Sequence, residues 1–148
     1  MFERILVPVD GSRHSRYAVQ MATELAKCHK SFVYLLHVIR DLSLPAEILA
    51  MVEAGEVTQS RMEILQDSAD IILENAVAQF AEAGVADVHA EYVLGDPATQ
   101  ILSYAEEKGV SLIVLGHRGL GPTEGLLGGV ARKLVNRTTL SVLIATES

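Results

Sequence analysis

The sequence predicts an α/β fold in which an open, doubly wound parallel sheet carries helices on both faces. Five short runs of aliphatic and β-branched residues alternate along the chain with segments that have helical periodicity. These runs are apolar at successive positions, which is typical of parallel strands that are covered on both faces. Right-handed crossovers between such strands leave few topologies, and the doubly wound sheet is the simplest of them.

The predicted elements follow from local patterns. Strands are predicted at residues 4–9, 32–39, 85–94, 111–115 and 140–145. A first helix begins near Ser15, with Ser12 or Ser15 as its cap, and a long helix covers residues 61–83. A short helix follows the turn Gly95-Asp96-Pro97 and ends at Gly109, and a last helix includes Val130 and Val135. Residues 40–59, which contain Pro45 and Gly55, are interpreted as a lid or a crossover.

Length and composition restrict the class of protein. With 148 residues, 49% of them hydrophobic and 21% charged, the chain matches one globular domain, residues 1–148, and disorder is excluded as its main state. A net charge of −7 makes binding to a nucleic-acid backbone improbable. Cys28 is the single cysteine, which excludes a disulfide framework, and we expect it to pack on the first helix. No membrane span or signal peptide is recognised, so the expected compartment is the cytoplasm.

The first candidate site is Asp10-Gly11-Ser12, directly after the first strand. In an open parallel sheet, ligands bind outside the carboxyl ends of the strands. A carboxylate at this place can accept hydrogen bonds from a sugar hydroxyl or an amino group. The alternative is that Asp10 only forms a turn or caps the next helix. Taken by itself, the segment favours that alternative.

The second candidate site is a glycine-rich stretch after the fourth strand. Six of the eleven glycines lie between residues 116 and 129. Glycines let backbone N–H groups approach a phosphate, and a helix that begins near Gly128 directs its positive dipole end to the same place. Residues 116–137 also hold four basic side chains against one acidic side chain. We favour phosphate binding over a loop whose glycines only form turns.

Other chemistry has less support. The glycine-rich stretch is neither a P-loop nor a dinucleotide fingerprint. His117 is either a phosphate donor or an exposed loop residue, and His37 is interpreted as a hydrogen-bonded histidine at a strand end. The sequence contains no recognisable catalytic triad, paired carboxylates or metal cage, so no catalytic residue or metal ligand is assigned. At most, slow hydrolysis of a bound phosphate ligand is expected.

Several motifs together resemble those of the universal stress protein family. They are the run from Ile5 to Ser12, His37-Val38, Gly95-Asp96-Pro97, the run from Leu115 to Gly119, and Leu127-Gly128-Gly129-Val130. The resemblance covers essentially the whole chain. It implies a Rossmann-like sheet of five parallel strands that dimerises through its last strand, and an adenine nucleotide, ATP or AMP, as the bound ligand. Mg²⁺ would arrive with the nucleotide.

The resemblance also implies the site. Pro8, Val9 and Asp10 would flank the adenosine, and the backbone of Val38 would meet the adenine. The ribose and phosphates would be held by Gly116, His117, Gly119, Gly128, Gly129 and Val130. The remaining residues of the candidate site are Gly11, Ser12, Leu115, Arg118 and Ala131. Gly129 and Ala131 stand where the family has hydroxyl side chains, which weakens the expectation of tight triphosphate binding.

The expected function is that of a stress-response sensor or regulator that acts as a homodimer. The alternative is a dimeric interaction module of the same family that binds no nucleotide. A nucleotide-dependent enzyme of the wider group is disfavoured, because the chain lacks its motifs and a substrate domain. The dimer expectation also has a physical basis, since the strand from Leu140 to Ala145 contains neither proline nor charge and would pair with a second copy if it lies at the sheet edge.

Overall fold

A computed structural model of the chain describes residues 1–40, 58–118 and 127–146, with the side chains of residues 58–60 left aside. The segment interpreted as a lid or crossover lies outside the described residues, except at its two ends. Within the described part, the order of elements is strand, helix, strand, helix, strand, helix, strand, helix, strand. The predicted alternation of strands and helices is therefore confirmed.

The five strands form one parallel sheet. They are β1 (Arg4–Pro8), β2 (Phe32–Arg40), β3 (Val88–Gly95), β4 (Leu112–Gly116) and β5 (Ser141–Ala145). Their order across the sheet is β3-β2-β1-β4-β5, and all four neighbouring pairs are parallel. The chain builds outward from β1 in one direction and then returns to β4 on its other side. The predicted doubly wound sheet is confirmed, and β5 lies at one edge.

Four helices cover the two faces of the sheet. They are α1 (Arg13–His29), α2 (Thr58–Glu82), α3 (Pro97–Lys108) and α4 (Gly129–Arg137). Alternating residues of β1 enter different cores: Ile5 and Val7 pack with α1 and α2, whereas Leu6 packs with α3 and α4. This is why each central strand is apolar at successive positions.

The start of α1 differs by two residues from the prediction. Ser12 is the N-cap, and its side chain accepts a hydrogen bond from the Ser15 N–H at 3.2 Å, so the helix begins at Arg13. Cys28 is exposed, and the prediction that it packs as a buried side chain is wrong. The buried residue Ala26 precedes it by two positions, a turn of about 200° around a helix, which places Cys28 on the opposite face.

The start of β3 also differs from the prediction. Gly84 adopts a positive φ of 84°, and the Val85 N–H donates to the Phe80 carbonyl at 2.9 Å. Val85 is buried against the end of α2, so it closes that helix and the strand begins only at Val88. The predicted turn before α3 is observed as expected: Asp96 is the N-cap, Pro97 follows it in the first turn, and Gly109 ends the helix with φ of 65°.

Candidate functional site

A cavity of about 460 Å³ lies at the carboxyl edge of the sheet. It is reached by the ends of β1, β2 and β4 and is bordered by α2, α3 and the first turn of α4. Ligand-binding cavities for small molecules have volumes of about 300–1,000 Å³. Both candidate segments identified from the sequence contribute to it. Carboxyl ends of parallel strands meet at one edge, so the two segments come together although about a hundred residues separate them.

Most of the expected site residues line this one cavity. They are Pro8, Val9, Asp10, Val38, Leu115, Gly116, Arg118, Gly128, Gly129, Val130 and Ala131. Gly11, Ser12 and His117 are not part of its lining, and Gly119 lies outside the described residues. Ser12 is buried as the cap of α1, and Gly11 faces α2, where an added Cβ would lie 3.2 Å from Ile72 Cγ1. The imidazole of His117 lies 6.0 Å from that of His14.

Asp10 forms the turn before α1 and lies beside the cavity. Its Oδ1 atom accepts a hydrogen bond from the Ser12 N–H at 2.9 Å, which forms the tight turn before α1. Asp10 also lines the cavity. Each oxygen of a carboxylate can accept hydrogen bonds, so the bond from Ser12 leaves further acceptor capacity on Asp10. A carboxylate held in this way presents one oriented acceptor to a ligand, because the turn fixes the side chain.

Gly116, the last residue of β4, is required for packing and also lines the cavity. A Cβ placed on it would lie 2.6 Å from the carbonyl carbon of His14 and 2.7 Å from its oxygen. Those atoms belong to the backbone of α1, so no side chain fits. The missing side chain of Gly116 thus allows α1 to approach β4, a role that the phosphate interpretation of the sequence did not include.

The amino end of α4 borders the cavity with N–H groups that have no acceptor within the helix. Gly128 is the N-cap and supplies no side-chain hydrogen bond, and its own N–H donates to the His117 carbonyl at 2.9 Å. The first bond of the helix runs from the Arg132 N–H to the Gly128 carbonyl at 3.0 Å. The earlier N–H groups therefore have no acceptor within the helix, and with the helix dipole they favour an anion. Arg118 lines the cavity on the same side.

Other cavity residues were not identified from the sequence. They are Ser15, Leu36, His37, Ile39, Arg40, Leu65, Ser68, Ile72, Pro97 and Ile101. His37 is hydrogen-bonded at a strand end, as interpreted, with Nδ1 2.7 Å from the Val9 carbonyl oxygen, but it also lines the cavity. Its position at the carboxyl end of β2 was the signal that could have included it.

Asp96 lies at the amino end of α3 and is exposed outside the cavity lining. Hydrogen bonds from the Thr99 N–H at 3.1 Å and the Thr99 hydroxyl at 2.8 Å lower the pKa of its carboxyl group. Lys133 and Arg137 of α4 lower this pKa further through their charges. The shift reflects helix capping, so it does not mark Asp96 as a catalytic group.

Two further properties hold within the described ranges. No cluster of histidine, cysteine and acidic side chains within them is arranged to hold a metal ion. None of the helices there is both long and apolar enough to span a membrane.

The fold is that of an α/β protein with a cavity at the switch point of a doubly wound sheet. A family model described as "Universal stress protein family" matches residues 1–146. The chain therefore belongs to the universal stress protein family, as the sequence motifs predicted.

Individual relatives agree with this assignment. Universal stress protein YxiE of Bacillus subtilis is 39% identical over 97% of this chain and 99% of its own length. Universal stress protein Sll1654 of Synechocystis is 34% identical over 97% of this chain and 85% of its own length.

Solved structures agree on the fold. The structure of MJ0577, a universal stress protein of Methanocaldococcus jannaschii, has a TM-score of 0.81 at 26% identity and covers 100% of this chain and 98% of its own. A universal stress protein in complex with cAMP has a TM-score of 0.73 at 24% identity, with 99% and 98% of the two chains covered. The Archaeoglobus fulgidus protein in complex with dAMP has a TM-score of 0.69 at 20% identity, with 99% and 100% covered.

Proposed function

We propose that this chain binds an adenine nucleotide, AMP or ATP, in the cavity at the strand ends and acts as a homodimeric sensor or regulator in a stress response. The observation that carries the proposal is the polarity of the cavity. Asp10 offers an acceptor at the end of β1, whereas α4 and Arg118 offer donors and positive charge beside β4. A nucleoside phosphate has the matching arrangement, with sugar hydroxyls that donate and a phosphate that accepts.

The walls of the cavity suit a flat apolar base. Val38, Ile72, Ile101 and Leu115 line it from both sides of the sheet edge. Apolar walls with a few oriented polar groups are typical of cofactor sites, because the walls contribute burial and the polar groups fix orientation. Two structural relatives carry cAMP and dAMP, both adenine nucleotides with one phosphate. Their likeness to this chain concerns the fold, and the ligand is extended to this chain as part of the proposal.

The experiment is isothermal titration of ligand-free protein with ATP, ADP and AMP, each in the presence of Mg²⁺. In this proposal Mg²⁺ binds only as part of the nucleotide complex. Asp10→Asn keeps an oxygen for the Ser12 N–H but replaces the second acceptor with a donor. Losing a hydrogen bond to a charged group corresponds to a loss of affinity of about tenfold or more. Asp67→Asn is the matched control, because Asp67 is exposed on α2. If none of the three nucleotides produces a heat of binding, the alternative function, a dimeric interaction module that binds no nucleotide, is favoured.

The homodimer part of the proposal rests on β5. This strand lies at the edge of the sheet, and Val142, Leu143 and Ile144 are only partly buried in the single chain. An apolar edge strand pairs readily with a second copy across a two-fold axis. The exposed side chain of Val135 on α4 lies in the helix that precedes this edge.

Light scattering on a sizing column tests the dimer. Wild-type protein at micromolar concentration should have twice the mass of one chain, and Val142→Glu should be a monomer with an unchanged circular dichroism spectrum. Met21→Glu changes an exposed apolar side chain on α1 and should remain a dimer. A wild-type protein with the mass of one chain would contradict the proposed homodimer. We propose the cytoplasm as the place where the protein acts, a compartment in which the thiol of Cys28 stays reduced.

A further inference from the structure

The outer side of α2 carries two large apolar side chains in one row. Ile64 and Ile71 are 67% and 58% exposed. They are seven residues apart in the sequence, about two helical turns, so they lie on the same side of the helix about 10 Å from each other. Leu73 and Phe80 belong to the core that α2 shares with α1. Exposed apolar side chains that lie together in this way indicate a surface for contact with another molecule.

A stripe of carboxylates borders this apolar row. Four acidic residues of α2 recur at intervals of four, three and four positions, which is the spacing of neighbours on one side of a helix. All four are exposed, and they are Glu63, Asp67, Asp70 and Glu74. Asp67 follows Ile64 by three positions, so a carboxylate adjoins an isoleucine. A partner of this surface must therefore combine apolar side chains with positive charge.

The helix α4 of the same chain has a surface of that complementary kind. Its exposed side chains include Arg132, Lys133 and Arg137, and Val135 is 47% exposed among them. Asp96, the N-cap of α3, lies near enough to Lys133 and Arg137 for their charges to act on it, so it offsets part of the positive charge. Three cations against this one carboxylate leave the surface positive. The nine residues of α4 span about 14 Å, which is enough to cover both exposed isoleucines of α2.

The two surfaces lie on opposite faces of the molecule. α2 packs with α1 on one face of the sheet, whereas α4 packs with α3 on the other face. A pair of molecules that makes one α2–α4 contact therefore leaves one α2 surface and one α4 surface available. Such a contact is heterologous, and it continues from molecule to molecule unless a ring closes.

We propose that α2 of one molecule binds α4 of a second copy of this chain, with Ile64 and Ile71 against Val135 and the acidic stripe against the basic side chains of α4. The residues of both surfaces lie outside the cavity lining and outside β5, so the contact is separate from ligand binding and from the proposed pairing of β5 strands. Exposed ion pairs contribute little each and are screened by salt. Association should therefore need protein concentrations on the order of 100 μM and should weaken as salt is added.

Composition-gradient light scattering on ligand-free protein measures this association, because it gives the average mass at each concentration and in mixtures. At about 50 mM salt, the average mass of the wild type should rise at least twofold between about 10 and about 500 μM protein. At about 500 mM salt it should stay constant, because the Debye length is then about threefold shorter. The reference is the mass at the lowest concentration, whether this corresponds to one chain or to a β5-paired dimer.

Charge reversal tests which surfaces meet. Asp67→Lys with Glu74→Lys makes the α2 surface basic, and Arg132→Glu with Lys133→Glu makes the α4 surface acidic. Each double variant alone then brings like charges together, so the concentration needed for association should rise tenfold or more. A mixture of the two should associate, because it still contains an acidic α2 and a basic α4. A chain with all four substitutions exchanges the two signs, keeps the net charge of −7 and should associate again.

Glu3→Lys with Glu24→Lys is the matched control. Both residues are exposed, they lie outside α2 and α4, and the change of net charge equals that of the α2 variant. This control should associate like the wild type, and a loss equal to that of the α2 variant would show an effect of net charge alone and overturn the proposal.

The remaining outcomes are equally decisive. A wild-type mass that stays constant at low salt overturns the proposal and leaves the α2 surface to a different protein. A folded double variant that associates like the wild type, or a mixture that does not associate, also overturns it. If a variant fails to fold by circular dichroism, the wild-type salt series decides, and association that added salt does not weaken overturns the proposal.

Discussion

The backbone of His14 occupies the space that a side chain on Gly116 would need. A Cβ on Gly116 would lie 2.6 Å from the His14 carbonyl carbon. The end of β4 therefore packs directly against the first turn of α1, and Gly116 also lines the cavity. Because Gly116 both packs against α1 and lines the cavity, a substitution there is expected to change the stability of the fold as well as the cavity.

Gly116→Ala should lower the free energy of unfolding by about 1–3 kcal/mol, since the added methyl group collides with backbone that cannot rotate away. Urea denaturation followed by circular dichroism measures the loss. Gly129→Ala is the control, because among the described residues no heavy atom lies within 4 Å of a Cβ built there. Equal losses in the two variants would contradict the packing role of Gly116.

Ser12→Ala should destabilise the protein by about 1 kcal/mol, the usual cost of losing a serine N-cap. Ser12 is buried, and its hydroxyl oxygen accepts from the Ser15 N–H at 3.2 Å, so alanine leaves that donor without its partner. Thermal unfolding measures the change. Ser103→Ala, on the exposed side of α3, should be close to neutral, and a similar loss there would show that the capping bond is not the cause.

Much of the fold could be predicted because each apolar strand and its following helix have local signatures. The edge position of β5 could not be predicted in this way, because a strand without proline or charge is equally typical of the centre of a sheet. The cavity residues of β1, β4 and α4 were accessible, because carboxyl ends of parallel strands share one edge. The cavity residues of α2, such as Leu65 and Ser68, could not be predicted from the sequence. The angle at which a helix crosses the sheet depends on tertiary packing, and this angle decides which of its residues reach the cavity.

The role of Gly116 shows another limit. Its place in a glycine-rich stretch indicated close approach to a phosphate, whereas the structure shows close approach of α1. Both readings need a residue without a side chain, and the sequence alone contains no information about which neighbour fills the space. Cys28 is different, since the helical period relative to Ala26 could have placed it on the exposed face.

Asp96→Asn should reduce stability at neutral pH and leave it unchanged in acid. Hydrogen bonds from Thr99 lower the pKa of Asp96 in the folded protein below the ordinary value of 3.8. A lowered pKa contributes stability above that value, and the contribution is lost as the pH falls through the folded-state pKa. Asparagine still caps the helix, so the variant removes only the charge. Urea denaturation at pH 7 and pH 3 should show the difference between variant and wild type shrinking, and Asp70→Asn, on exposed α2, should show no such pattern.

Gly129→Ser should raise the affinity for ATP by about tenfold, if the phosphates lie at the start of α4. Gly129 is the first residue of that helix and lines the cavity, and its N-cap Gly128 supplies no side-chain hydrogen bond. A serine Cβ meets no heavy atom within 4 Å in the described part of the chain, so the hydroxyl is added without displacing protein. Gly129→Ala has the same Cβ and lacks the hydroxyl, so it should bind ATP like the wild type in isothermal titration. If alanine raises the affinity as much as serine, the gain comes from a stiffer helix start, and the hydroxyl does not contact the phosphates.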